Sequence, residues 1–600
     1  MSILRIEMSD WLYNAGIVGL VNALGYSGIK ESKQYIEIDS EDLNGFEEKY
    51  FNYLIKQYEI FTSYHKIVNF KDRAEAILNQ DEYSDEDIKR VLEEINSYIE
   101  FLKQKLVSNS YISAYINIKK DINKKNCEEN EEKYDYLDLP ILSKKLKKIT
   151  KSKKQTTKDV IIQMKDQMCN ILEIIEYVEK KEVKRHLLAK DLTYMVIQNF
   201  WSNRSFLYKT KNKANVFEEY KNYFLNPILD KIKEDGKKSK YKKEKIIKDI
   251  CFNCGVELME VNKSHNLTWL KHIGVDGEKK ASHFWNLERI DTICPVCNLV
   301  YSCIPLGFVY LKEQGLFINN NSSVRDLLNS NKHVLKENNR IIDLEYKSYL
   351  TIANSFTKYN IENMSDSSKR IKNIQIVKLD IGSVSPYSFN ILNKEMIRFL
   401  IDNAKRLDFL LDKKIEWYID KQSRKHYKDL YKEVIDSIYH GKNLFDLVNF
   451  ILMKKIRGSH INLNTIHNLL VINKNFLEKQ GVVCMQEMNE KKIYAIRCKG
   501  YELKKAYENR QLNNKVTTIL NKLSNCLHIK NVDKFLDTII DSYGYIGKEV
   551  PNVFIECLNN RNLFLTVGYA FVLGLAGEDI KILDNSGKDK KVNEGVGINE

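Results

Sequence analysis

At 600 residues the chain is too long for a single hydrophobic core and reads as roughly two to four domains. Lys plus Arg number 95 against 81 Asp plus Glu, a net charge of +14 that suits a polyanionic partner. Neither secretion nor membrane insertion is expected, since Glu7 and Asp10 break the start and the uncharged run Leu563 to Gly577 is shorter than the ~20 residues a span needs; the reading is cytoplasmic, with no membrane partner.

The chain opens with a short strand, Ile3 to Ile6, then Ser9 or Asp10 as an N-cap, then an amphipathic helix carrying Trp11, Leu12, Ala15, Val18 and Val21. Tyr35 to Ile38 alternates as a strand does. Helical periodicity follows over 46–64 and 85–103, the latter with Ile88, Leu92, Ile95, Ile99 and Leu102 on one face. Residues 1–126 therefore read as a mixed α/β N-terminal domain. Between 127 and 158 an acidic stretch passes into a basic one, which reads as a mobile charged loop. Its Lys151, Lys153 and Lys154 are candidate phosphate contacts, as are Lys237, Lys238, Lys240, Lys242 and Lys243 in a second cluster. The competing reading of each run is a solvated loop. Helices are expected over 164–188 and 191–201. Just beyond, Trp201-Ser-Asn-Arg204 sets a stacking ring beside a cation, so Arg204 is a further candidate contact, with core packing as the alternative for Trp201.

The densest chemistry lies in Cys251-Phe-Asn-Cys254 and Cys294-Pro-Val-Cys297. Two residues between thiolates let one turn aim both sulfurs at one ion, and two such knuckles complete a tetrahedral Zn(Cys)4 site. Gly255 suits a turn of positive φ, and Pro295 stiffens the second knuckle. Four protein ligands leave no open coordination position, so the zinc is expected to be structural, in a zinc-ribbon insertion (251–303) of a middle domain (159–392). The remaining cysteines are scattered and odd in number, which suits a reducing compartment. From Asn393 onward Met396, Phe399, Leu400, Leu407, Leu410 and Leu411 recur at helical spacing, and 393–600 reads as a helical bundle. The fold class expected is α+β and predominantly helical: a mixed α/β N-terminal region, a zinc-ribbon insertion and a C-terminal helical bundle.

No phosphate-binding glycine loop, serine nucleophile elbow or His-Glu-x-x-His helix is present, and the composition favours a scaffold over an enzyme. Three landmarks stand in order: Trp11-Leu-Tyr-Asn-Ala-Gly-Ile-Val-Gly19, the paired cysteines, and Leu563-Phe-Leu-Thr-Val-Gly-Tyr-Ala570 with Gly574-Leu-Ala-Gly577. Together they resemble the CRISPR-associated large subunit of the type I-B interference (Cascade) complex, the family known for its CXXC-CXXC pattern. The resemblance implies a non-catalytic subunit at the 5′ end of a guide RNA. It implies recognition of the motif flanking a double-stranded target DNA, stabilisation of the opened target, and recruitment of a helicase-nuclease in antiviral defence. Its other partners would be the backbone, 5′-end cap and small subunits. The family motif falls on Trp11, Asn14, Gly16 and Gly19, where Asn14 is the candidate for a base edge or guide phosphate; a core Trp11 and a merely polar Asn14 on a helix surface are the alternatives.

Leu270-Lys271-His272-Ile273, Asn286-Leu287 and Ile293-Cys294 also resemble the HNH-like zinc-stapled metal-dependent nucleases, which is the alternative function. That chemistry needs a second, hard cation, and the places of its ligands hold Lys271 and Asn298, which bind such an ion poorly. His265, His272 and His283 read as packing or surface residues. The resemblance to the large subunit also implies a small helical subunit that the same gene can supply by internal initiation: written in A-ending codons, Gln480-Gly481-Val482 would contain a ribosome-binding sequence just ahead of Met485, so 485–600 is expected also as that separate small subunit. Lys504, Lys505, Arg510, Lys515 and Lys522 are its candidates for tracking a strand.

Overall fold

The computed structural model describes residues 2–591 other than 81–82, 129–138, 151–155, 203–214, 238–248, 259–264, 273–291, 312–313, 333–345, 347, 351, 353–372, 384–385, 412, 420–423, 483–487, 557–559, 578–580 and 584–588. The chain divides into two units, Met1–Leu344 with Lys372–Ile391, and Glu345–Ile371 with Leu392–Glu600.

In the first unit the strand Ile3–Glu7 pairs antiparallel with Tyr35–Asp39, Ile6 opposite Ile36 and Leu4 opposite Ile38. Lys30–Glu31 completes this sheet on the far side of Tyr35–Asp39. Alternation buries Ile6, Ile36 and Ile38. The helix Trp11–Leu24 begins where the Asp10 carboxylate accepts from the Leu12 and Tyr13 amides at 2.7 and 3.0 Å, and it ends at Gly25. Its periodicity suggests an amphipathic surface helix, but every residue from Leu12 to Val21 is buried. It packs against the helix Phe46–Tyr58 and against the short helices Pro295–Ser302 and Ile304–Gly307. Glycines permit that approach. A Cβ on Gly16 would lie 2.3 Å from Val300 O, one on Gly19 1.9 Å from Cys303 O, and one on Gly307 2.0 Å from Ala15 O.

Beside this contact stands a four-stranded sheet ordered Val309–Leu311, Gln314–Asn319, Ile374–Asp380, Tyr387–Leu392. Its inner strands bury Leu316, Phe317 and Ile318 against Ile376, Val377 and Leu379, so both faces are covered and alternation in the sequence is weak. A second core in the same unit is all helical and includes Asp85–Leu106, Leu139–Lys145, Thr157–Glu179 and Lys181–Met195. Residues 139–149, read from sequence as part of a mobile loop, belong to it: Leu142, Leu146 and Ile149 are buried. Asn96 exchanges two hydrogen bonds with the Ile149 backbone at 2.8 and 2.9 Å. Lys145 pairs with Glu173 at 3.2 Å and Lys148 with Glu100 at 3.1 Å. The four- and three-residue spacing of those apolar side chains is a helical signal hidden among lysines.

The second unit is helical, with the hairpin Lys414–Ile419 and Lys425–Asp429 inserted between Ala404–Leu410 and Leu430–Tyr439. Its central helix, Arg561–Leu575, is buried from Phe564 to Leu575 and crosses Glu490–Glu508 with glycines at the contact. A Cβ on Gly574 would lie 1.8 Å from Arg497 O, and one on Gly500 2.0 Å from Phe571 O. The apolar run at 563–577 is therefore an interior helix. No helix among the described residues is long and apolar enough to cross a membrane. The whole is an α+β, predominantly helical fold.

His467 gives this unit a pH-dependent stability. Burial lowers its pKa from 6.5 to about 4, and the Arg497 charge adds to the shift, with Glu490 opposing and Arg406 reinforcing it. As pH falls, the unfolded chain takes up this proton first. The contribution is therefore complete above about pH 6.5 and is lost between about pH 6.5 and 4, by up to roughly 3 kcal/mol. Urea denaturation of His467→Gln should show a flatter acid limb than the parent; an unchanged limb would contradict the assignment.

Candidate metal centre and nucleic-acid contacts

The first knuckle is a turn between Asp249–Ile250 and Glu257–Leu258. Cys251 N donates to Val256 O and Gly255 N to Cys251 O, both at 2.8 Å. Gly255 has φ +71°, where a side chain would strain the turn. The second knuckle is a helix start. Cys294 is the N-cap of Pro295–Ser302, its sulfur accepting from Cys297 N at 3.4 Å, and Pro295 stands where no backbone donor is needed. The two knuckles are joined by Cys294 N to Cys251 Sγ at 3.3 Å and Phe252 N to Thr292 O at 3.1 Å.

This brings Cys251, Cys254, Cys294 and Cys297 together with their sulfurs all within 4.8 Å of one another. Cys254 Sγ lies 3.7 Å from Cys294 Sγ. Four zinc–sulfur bonds of about 2.3 Å at tetrahedral angles place sulfurs about 3.8 Å apart, so both donor type and spacing fit one thiolate-bound ion. Hydrogen bonds from Cys254, Cys294 and Cys297 hold the Cys251 thiol far below the ordinary thiol range, while those it shares with the other three drive Cys297 upward. An ion bound by the four sulfurs would displace the thiol protons. Among the described residues, these four cysteines are the one cluster of His, Cys, Asp or Glu with such geometry.

Three outer residues escaped the sequence reading. Tyr13 OH lies 3.4 Å and Asn253 Nδ2 3.5 Å from Cys297 Sγ, and Tyr301 OH donates to Asn253 Oδ1 at 3.5 Å. The Tyr13 and Tyr301 rings meet edge to face at 5.1 Å. Such outer contacts orient ligands. Tyr13 lies within the Trp11–Gly19 motif, but no spacing rule connects residue 13 to residue 297. The motif and the cysteines are one structure, because the first helix rests on the helix that Cys294 caps.

The nuclease-like positions are used otherwise. Lys271 Nζ donates to Gln198 O at 2.6 Å, and the buried Asn298 accepts from Trp269 Nε1 at 3.1 Å. His272 is exposed at φ +61°, and His265 exchanges backbone hydrogen bonds with Ile293 at 3.0 and 2.8 Å. His283 lies outside the described residues.

Asn14 requires a correction. It is 0 % exposed, its Oδ1 accepts from Ser9 N at 3.0 Å, and its Nδ2 donates to Ser9 O, Asn319 Oδ1 and Asn321 Oδ1 at 3.1, 3.0 and 2.7 Å. It is an interior clamp between the first helix and the turn after Gln314–Asn319, with no edge left for a base. Trp201 is likewise interior, its ring 5.4 Å from that of Trp269. Lys151, Lys153, Lys154, Arg204, Lys238, Lys240, Lys242, Lys243 and Met485 lie outside the described residues; Lys237 ends the helix Asn226–Lys237. Of the lysines and arginines assigned to strand tracking, Lys504 donates to Gly577 O at 2.6 Å, Arg510 to Tyr545 O and Ile546 O at 3.0 and 2.9 Å, and Lys515 lies over the Tyr545 ring at 3.7 Å. These three hold helix ends together.

Residues 244–309 match the family model described as CRISPR-associated protein (Cas_CXXC_CXXC). The matched segment contains both knuckles, the helix Pro295–Ser302 and Gly307, and it supports a CRISPR-associated protein of this family. No curated protein and no solved structure matches the chain.

Proposed function

We propose that the chain is the non-catalytic large subunit of a type I-B RNA-guided interference complex, with zinc as the ion that its four cysteines hold. The observation that carries this reading is a coincidence of place. The segment matching the CRISPR-associated family is the one whose four thiols converge, and the first helix is braced on it through Tyr13. An ion with four protein thiolates has no position open to substrate, so its work is to fix a shape that partners read. In the cytoplasm the chain would sit at the 5′ end of the guide RNA beside the capping and backbone subunits. There it would recognise the motif flanking a DNA target, stabilise the opened target, and recruit the helicase-nuclease. Sequence choice belongs to base pairing in such a complex, so this subunit supplies positive charge and a rigid platform. Residues 485–600 would also be made separately as the small subunit.

The basic clusters give the test. In the assembled complex, neutralising Lys151, Lys153 and Lys154 together should weaken target binding about equally for all sequences. It should also lower the slope of log affinity against log salt by about 0.9 for each phosphate no longer paired with a lysine. An unchanged slope would remove the cluster from the DNA path.

A further inference from the structure

The second unit buries a cation whose donors the fold leaves largely unused. Arg497, on the helix Glu490–Glu508, is 2 % exposed, and its Nη1 donates to Asn464 Oδ1 at 3.3 Å. Its Nε and Nη2 are buried and find no acceptor among the described residues. These two nitrogens form one edge of the guanidinium, the edge that grips two oxygens of a carboxylate or phosphate side by side. Elsewhere the chain supplies that partner itself. Arg73 donates from Nε and Nη2 to Glu94 at 3.0 and 2.8 Å, and Arg185 from the same pair of nitrogens to Glu48.

Two further donors lie beside Arg497. Asn464 stands in the first turn of the helix Leu463–Lys479, which holds no acid there, and His467, one turn further along the same face, has a buried Nδ1 without a partner. Arg406, on Ala404–Leu410, gives Nη2 to Glu490 and keeps a buried Nε without a partner. The Arg497 and Arg406 charges both act on His467, so the three side chains are neighbours, and Glu490 is the carboxylate that opposes them there. Burying a cation short of counter-charge is strongly unfavourable, and an apolar side chain of similar size would serve the fold better. Four donors on three side chains, with His467 in its Nδ1–H form, suit the oxygens of a tetrahedral oxyanion. The way in is at the rim, where the Arg406 and Glu490 side chains are 22 and 51 % exposed and Glu490 can turn into solvent. The Arg497 edge lies too deep for a phosphate flanked by sugars, which favours a small free ion.

We propose that the second unit binds a free tetrahedral oxyanion, inorganic phosphate or sulfate, gripped by the Nε–Nη2 edge of Arg497 and held by Arg406 and His467 as Glu490 turns aside. The site stands independently of the proposed function. The test is hydrogen exchange of the full chain in inorganic phosphate, against chloride at equal ionic strength. Phosphate at four times the midpoint of the response should slow exchange in Leu463–Lys479 and Glu490–Glu508 by roughly fivefold and leave Trp11–Leu24 of the first unit unchanged. Arg497→Met removes the charge and the edge together. It should abolish the slowing, while its urea midpoint in chloride equals or exceeds the parent's because a buried cation is gone. Arg497→Lys keeps the charge without the fork and should lose most of the slowing. No slowing in the parent, or slowing in both variants equal to the parent's, would overturn the site. A lower urea midpoint for Arg497→Met in chloride would show that the guanidinium already serves the fold, and would overturn it as well.

Discussion

Replacing Cys294 by serine should lower the unfolding temperature of the first unit by roughly 5–10 °C, the equivalent of about 4 kcal/mol or more. A serine hydroxyl does not ionise at neutral pH and cannot replace a thiolate ligand. Cys294 also has two structural roles, since its amide donates to Cys251 Sγ and its sulfur caps the helix Pro295–Ser302. The loss should spread beyond the knuckles, because Tyr13 OH lies 3.4 Å from Cys297 Sγ and Gly16 and Gly19 press the first helix onto the backbone around Val300 and Cys303. Hydrogen exchange should therefore quicken in Trp11–Leu24 and in Pro295–Ser302, and stay unchanged in Arg561–Leu575 of the other unit. Removal of the metal from the parent by a strong chelator should reproduce the pattern. Melting and exchange identical to the parent's would show that the cysteines carry no structural ion.

Two glycine-to-alanine substitutions in the second unit should act with opposite sign. At Gly574 an added methyl meets Arg497 O at 1.8 Å, a backbone atom that moves only if the two helices part. Overpacking of this kind costs about 3 kcal/mol or more. Gly544 lies in the helix Val532–Tyr545 with nothing within 4 Å of an added Cβ. Alanine there loses less backbone entropy on folding and should stabilise by about 0.5–1 kcal/mol. Urea midpoints read both effects; equal shifts at the two positions would mean that the close crossing is not what the glycines serve.

The metal site was the most legible part of the sequence, because ligand spacing in a knuckle is local: two intervening residues, a glycine at Gly255, a proline at Pro295. What surrounds it was not legible, since Tyr13 and Cys297 meet only through the fold. The Trp11–Gly19 and Leu563–Gly577 motifs stood out as motifs, yet their meaning is packing: the glycines let helices touch backbone to backbone, and Asn14 is the interior polar clamp that a buried helix start requires. The hairpin at 414–429 lay in a segment read as helical: Ile415, Trp417 and Ile419 alternate along its first strand, but the second, Lys425-His-Tyr-Lys-Asp429, has no apolar alternation to display. In 139–149 the reverse held: dense lysines suggested a loop, while Leu142, Leu146 and Ile149 carry a buried edge whose cations lie along acidic helix faces.

The most direct measurement is binding of a double-stranded target by the guide-loaded complex reconstituted with and without this chain, in magnesium. The proposed function requires that the chain restore tight binding only to targets bearing the correct flanking motif, and that the DNA stay intact until the helicase-nuclease is added. Equal target binding without the chain, or cutting of DNA by the purified chain alone, would contradict it.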